Sequence, residues 1–98
     1  MKNKLMKKKA LYYALKTSVP SNEIDASGAD LSGAILNGAD LSGATLNGAD
    51  LSCATLNGAT LNGADLSCAT LNGAILDGAD LSGAKAADTT NEKVQTEI

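Results

Sequence analysis

The residues able to do chemistry are few and monotonous. Between Ile24 and Asp88 the chain carries eight aspartates, two cysteines, one lysine and no histidine. Serine and threonine hydroxyls abound, but a hydroxyl becomes a nucleophile only beside a base, and the commonest base is missing. The aspartates recur at five-residue multiples because a repeat recurs. A calcium loop would gather several acidic ligands within twelve residues and close on a glutamate, and this pattern does neither. Cys53 and Cys68 stand fifteen residues apart, which matches no familiar zinc spacing. Ala-Asp-Leu-Ser-Gly lacks the first glycine of a nucleophile elbow, and glycines spaced one per five do not build a phosphate loop. The expectation is a protein that is not an enzyme, with no catalytic, cofactor-binding or metal-binding residues and no cofactor.

Those side chains must be positioned by whatever the repeat folds into. Eleven consecutive pentapeptides, from Ala29–Gly33 to Ala79–Gly83, read Ala, variable, Leu, polar, Gly or Cys. All ten glycines fall on the fifth position, and Cys53 and Cys68 take it in the two repeats without one. A straight helix would turn successive leucines by about 140°, so no apolar face would form. A straight strand would throw them onto alternate faces. Both conflicts vanish if the chain turns every five residues. Ala-x-Leu then becomes a short extended triplet pointing in, out and in, and the polar-Gly pair makes the corner. Such a coil stacks on itself as a solenoid of parallel strands.

The motif A[DTI]L[SN]G strongly resembles the pentapeptide-repeat family, whose repeat is A(D/N)LXX. The match covers residues 29–83, with degenerate repeats Ile24–Gly28 and Ala84–Asp88 at its ends. The resemblance implies an all-β solenoid: a right-handed quadrilateral parallel β-helix with four repeats per coil. It implies about three coils, roughly 16 Å tall at ~4.8 Å per tier.

With twenty residues per coil, the columns can be read off. Leu31, Leu51 and Leu71 stack inside the first face, Leu36, Leu56 and Leu76 inside the second, and Leu41, Leu61 and Leu81 inside the third. Leu46 and Leu66 stack inside the fourth, between Ala26 and Ala86. These leucines are the expected structural core. Outside, Ile35, Thr55 and Ile75 align on the second face beside Asn37, Asn57 and Asp77, which suggests an amide ladder. Asp30 and Asp50 lie on the first face, Asp40 and Asp80 on the third, Asp25 and Asp65 on the fourth. ADLSG and A[TI]LNG alternate, and the order slips at Ala59–Gly63. Strict alternation would stack every aspartate on another, because twenty is twice ten, at a cost of about 1 kcal/mol per pair of charges ~5 Å apart in water. The slip leaves Asp30 and Asp50 as the one directly stacked pair.

The ends differ from the middle. Residues 1–23 carry six lysines against Glu23, net +5, whereas the repeat block carries eight aspartates against Lys85, net −7. Leu11 and Leu15, with Leu5, Met6 and Tyr12 nearby, predict a short helix over Met1–Val19 that ends before Pro20. The expected organisation is a basic N-terminal helix or cap at 1–23, a β-helix at 24–88 and a polar, disordered tail at 89–98. The apolar run before Lys16 is too short for a secretory signal or a membrane span. Membrane contact by the basic N-terminus is not expected. Cys53 and Cys68 sit at neighbouring corners, beyond the ~7 Å reach of a disulfide, as small side chains in a reducing, cytoplasmic setting.

For function, the expectation is a structural or protein-interaction module with an unidentified protein partner. The weakly charged strip of Ile35, Thr55 and Ile75 is the candidate patch. The upper leucines, Leu66, Leu71, Leu76 and Leu81, are expected to stand open, so two C-terminal coils could meet in a homodimer. The alternative is mimicry of DNA toward a gyrase-type topoisomerase, which some members of the resembling family bind. The net −7 spread over roughly 16 Å approaches the one charge per ~1.7 Å of duplex DNA, but so short a rod matches only about five base-pair steps. Direct binding of nucleic acid by an acidic rod is not expected.

Overall fold

The structure, a computed structural model, describes residues 8–86. Its first element is helix α1, Lys8–Lys16, followed by a single 3-10 turn at Ser21–Glu23. The repeats then wind upward to two short paired strands, β1 (Asp65–Leu66) and β2 (Lys85–Ala86).

The period of five becomes a coil of twenty through its hydrogen bonds. Every variable residue bridges in parallel to the residue twenty positions on. The four columns are Asp25–Thr45–Asp65–Lys85, Asp30–Asp50–Thr70, Ile35–Thr55–Ile75 and Asp40–Thr60–Asp80. At every bridge above the lowest, Asp25–Thr45, the upper N–H donates to an alanine carbonyl below, as Thr55 does to Ala34 at 2.9 Å. The upper carbonyl accepts from a leucine N–H below, as Thr55 does from Leu36 at 2.7 Å. The extended part of each repeat is so short that most tiers pair through one residue.

Corners repeat as faithfully. The alanine N–H after each corner donates to the carbonyl three residues back, a leucine's at every corner but the first, as Ala54 does to Leu51 at 3.0 Å. Only the residue at the fifth position has positive φ, +69° at Gly33 and +60° at Cys53. A positive φ at the third residue alone defines a type II turn, which favours glycine there. Both cysteines therefore hold a left-handed conformation that ordinarily costs an L-residue about 1–2 kcal/mol.

Three of the five backbone N–H groups in a repeat are satisfied in this way, and the fifth-position N–H donates to the fourth-position carbonyl of the coil above, as Gly33 does to Ser52 at 2.8 Å. The fourth-position N–H is left over, and the outer side chains take it. Where the variable residue is Asp, its Oδ1 accepts from the N–H two residues on, at 3.0–3.1 Å for Ser27, Ser32, Ser42, Ser52, Ser67 and Ser82. On the second face, which lacks that Asp, Asn57 N–H donates to Asn37 Oδ1 of the coil below at 2.9 Å. The asparagine stack thus joins side chain to backbone, where an amide-to-amide ladder was expected. The Asp–Ser partnership also gives the alternation of ADLS and A[TI]LN a physical content.

The interior is leucine and alanine. All eleven core leucines are buried, and so are most alanines. The expectation of open upper leucines is not met: Leu66, Leu71, Leu76 and Leu81 are each at most 2 % exposed. They are buried within a single chain, which removes the apolar motive for a dimer through that coil.

At the lower end α1 lies against the first coil, with Leu11 and Ala14 buried and Tyr12 and Leu15 packed on the core. The helix stops at Lys16, three residues before the expected Val19. Thr17 folds back, donating from N–H and Oγ1 to the Ala14 carbonyl at 3.3 and 3.1 Å. Pro20 disfavours helical geometry in the residue before it. Leu5, Met6, the first lysines and the polar tail, on which other expectations rested, lie outside the described residues. No described helix is long and apolar enough to cross a membrane.

A candidate interaction face

The second face begins with a backbone problem. In the upper coils its variable residue donates to a carbonyl twenty-one positions earlier. For Ile35 that position is Ala14, which belongs to α1 and already accepts from Thr17. The Tyr12 hydroxyl fills the gap, accepting from Ile35 N–H at 2.9 Å. One phenol thereby ends the ladder and fixes the helix to this face.

Above that bond the predicted patch is a continuous column. Ile35 is 68 % exposed and Ile75 45 %, with half-buried Thr55 bridging to both. The Thr55 Oγ1 is buried without a hydrogen-bond partner, so this hydroxyl offers the face nothing polar. Asn37 and Asn57 flank the column, and Asp77 is its one charge. Isolated apolar residues on a surface carry no message, but two large ones in one column of a stiff wall, with Thr55 between them, make a defined strip.

The strip runs down into a notch between α1 and the first coil. This cavity, about 370 Å³, has Tyr12 and Leu15 as one wall and Ile35, Leu36 and Ala39 as the other; Lys16 and Asn37 stand at its rim. Ala39 is only half-buried, unlike Ala34 and Ala44, which are fully enclosed. Here α1 leaves the inner alanine column uncovered. Tyr12, Leu15, Lys16 and Ala39 were absent from the sequence-derived patch. The signal that would have found them is the register: counting twenty-one back from Ile35 lands inside the helix.

The other faces are electrostatic. The hydroxyl of Ser27 and then its N–H hold Asp25 below its ordinary value of 3.8, and Ser67 does the same for Asp65, with smaller help from Lys85 and Asn47. Asp40 is lowered chiefly by the Ser42 N–H and then its hydroxyl. Asp80 is lowered by the Ser82 hydroxyl, its N–H and Asn62. Asn62, with its amide nitrogen turned upward, donates to both Asp80 oxygens at 3.2 and 2.8 Å. The breaks in alternation at Ala59–Gly63 and Ala74–Gly78 make these inter-coil contacts, because they seat Asn-bearing repeats beneath Asp-bearing ones. Cys53 and Cys68 are free and exposed, and no group of three or more potential ligands gathers among the described residues.

The profile of pentapeptide repeats matches residues 27–63 and 64–90, with eight copies. No curated protein sequence matches. Among solved structures, HetL, a pentapeptide repeat protein involved in heterocyst differentiation regulation in the cyanobacterium Nostoc sp. strain PCC 7120, is 48 % identical over 61 % of this chain and 29 % of its own, with a TM-score of 0.59. A pentapeptide repeat protein of the Arabidopsis thaliana thylakoid lumen is 43 % identical over 61 % of this chain and 41 % of its own, with a TM-score of 0.60. Rfr23 from the cyanobacterium Cyanothece 51142 is 38 % identical over 65 % of this chain and 40 % of its own, with a TM-score of 0.53. The chain thus spans well under half the length of these structures.

Proposed function

The chain belongs to the pentapeptide-repeat family, whose fold is the right-handed quadrilateral β-helix, and on that premise we propose that it is a non-enzymatic interaction module. It is a rod of about three coils, closed below by α1, that presents its second face to a protein partner. The observation that carries this reading is the pair of exposed isoleucines, two coils apart in one column, on a face with a single charge. Family members are in general structural repeat modules. The free thiols of Cys53 and Cys68 favour a reducing compartment, which we take to be the cytoplasm.

The test replaces Ile35 and Ile75 together by Asp. Both side chains point to solvent, so stability should move by no more than about 0.5 kcal/mol. Affinity capture and self-association should both be compared with the parent chain. The reading expects at least one captured partner to be lost, or self-association to weaken. Unchanged capture and unchanged association would remove the face from consideration. The gyrase alternative draws no support from the comparisons. It predicts inhibition or protection of gyrase in a supercoiling assay, and its absence at high protein concentration would end that alternative.

A further inference from the structure

The notch at the foot of the second face has features that the strip above it lacks. It is concave, and its volume of about 370 Å³ falls in the range of natural ligand cavities, roughly 300–1,000 Å³. It is pre-formed, because the Tyr12 hydroxyl bond to Ile35 N–H holds one wall to the other. Its floor reaches half-buried Ala39, an inward-facing position of the repeat. Its rim carries Lys16, a cation with no ion pair among the described residues.

Charge decides what such a notch receives. Lys16 is the one charged side chain among the residues that line it, and no carboxylate lines it. A purely apolar occupant would leave Lys16 unanswered. A basic one would be repelled by it. Building on the interaction reading above, we propose that the notch anchors an acidic segment of a partner polypeptide. One large apolar side chain enters between Leu15 and Leu36, and a flanking carboxylate meets Lys16. The strip of Ile35, Thr55 and Ile75 then supports the continuation of the segment.

The probe is an acetylated, amidated hexapeptide, EELFEE, titrated into the isotope-labelled full chain and followed by nuclear magnetic resonance. Amide shifts should be confined to Tyr12–Lys16 and Ile35–Ala39. The peptide EEAAEE, which keeps the charge and lacks the anchor, should bind at least tenfold more weakly. QQLFQQ on the parent chain, and EELFEE on Lys16→Gln, should each weaken about two- to five-fold, the factor expected of one exposed ion pair. Lys85→Gln, which removes a cation from the fourth face, should leave peptide affinity unchanged. Equal binding of EEAAEE, indifference to both charge removals, or no shift at the notch in millimolar peptide would each overturn the proposal. So would binding to phosphatidylserine vesicles with no response to the peptide, since lipid would then be the occupant. If the peptide fails while partner capture still depends on Ile75, the notch proposal falls and the face reading stands.

Discussion

The second and fourth faces hang from the same interior and share almost nothing outside it. Behind one stand Leu36, Leu56 and Leu76, and behind the other Leu46 and Leu66, all buried. Both carry the same inter-coil bonds, 2.7 Å from Leu56 N–H to Ile75 and 2.7 Å from Leu46 N–H to Asp65. Yet one displays Ile, Thr and Ile, and the other Asp, Thr, Asp and Lys. Inward positions set the architecture with no regard for what is written outside. Outward positions are free to vary, provided that something accepts the fourth-position N–H.

The sharpest way to break this comparison is to cut the interior behind each face. Leu56→Ala behind the second and Leu46→Ala behind the fourth should each cost about 2–5 kcal/mol. Urea unfolding should show equal losses within about 1 kcal/mol; a larger gap would mean that the faces do not share one core. A smaller effect separates the faces at their lower ends. Tyr12→Phe strips the acceptor from Ile35 N–H and should cost about 1 kcal/mol. Hydrogen exchange at Ile35 should rise more than at Asp25, at the foot of the fourth face, and equal exchange would deny the phenol its role.

Next comes a change of opposite sign. Thr55→Val removes a buried hydroxyl without a partner and should stabilise by up to about 1 kcal/mol. Thr45, its counterpart on the fourth face, has no such orphaned atom and should show no comparable gain. Cys53→Gly, at a corner of the second face, and Cys68→Gly, at a corner of the fourth, should behave alike. Relief of about 1–2 kcal/mol of left-handed strain is offset by ~0.5–1 kcal/mol of extra glycine freedom when unfolded. A net gain near 0.5 kcal/mol should appear in both, measured by thermal melting.

Acid sharpens the contrast most gently. Asp25 and Asp65 on the fourth face, and Asp40 and Asp80 on the third, titrate below 3.8 when folded. The unfolded chain therefore binds protons first as pH falls. Their contribution is full above about pH 4 and is lost as pH drops through the folded values. Replacing all four by Asn should flatten the decline of stability below pH 4, whereas Ile35→Thr and Ile75→Thr on the second face should leave its slope alone.

Much of this was legible in the sequence, for a reason peculiar to repeats. A five-residue phase maintained through Leu31, Leu36 and onward to Leu81 leaves one backbone geometry that keeps every leucine inside, and the twenty-residue columns then follow by counting. What hydropathy could not reveal was hydrogen-bonded. That Asp30 serves the N–H of Ser32, and Asn37 that of Asn57, is a matter of donors and acceptors. The slip at Ala59–Gly63 could be read as spacing charges. The contact of Asn62 with Asp80 above it emerges only once the side chains are placed. Tyr12 was assigned correctly to the apolar side of a helix. Its hydroxyl's target twenty-three residues away lay beyond any periodicity.

The slip also teaches how such a rod changes over time. Adding five residues leaves the lumen untouched, because leucine still follows leucine inward. Outside, everything beyond the insertion advances by a quarter turn, like a dial moved one notch. Each duplication or loss of a pentapeptide thus reshuffles which surface groups lie above which, at little risk to folding. New surfaces on this scaffold can arise by rotation alone, before any codon in them mutates.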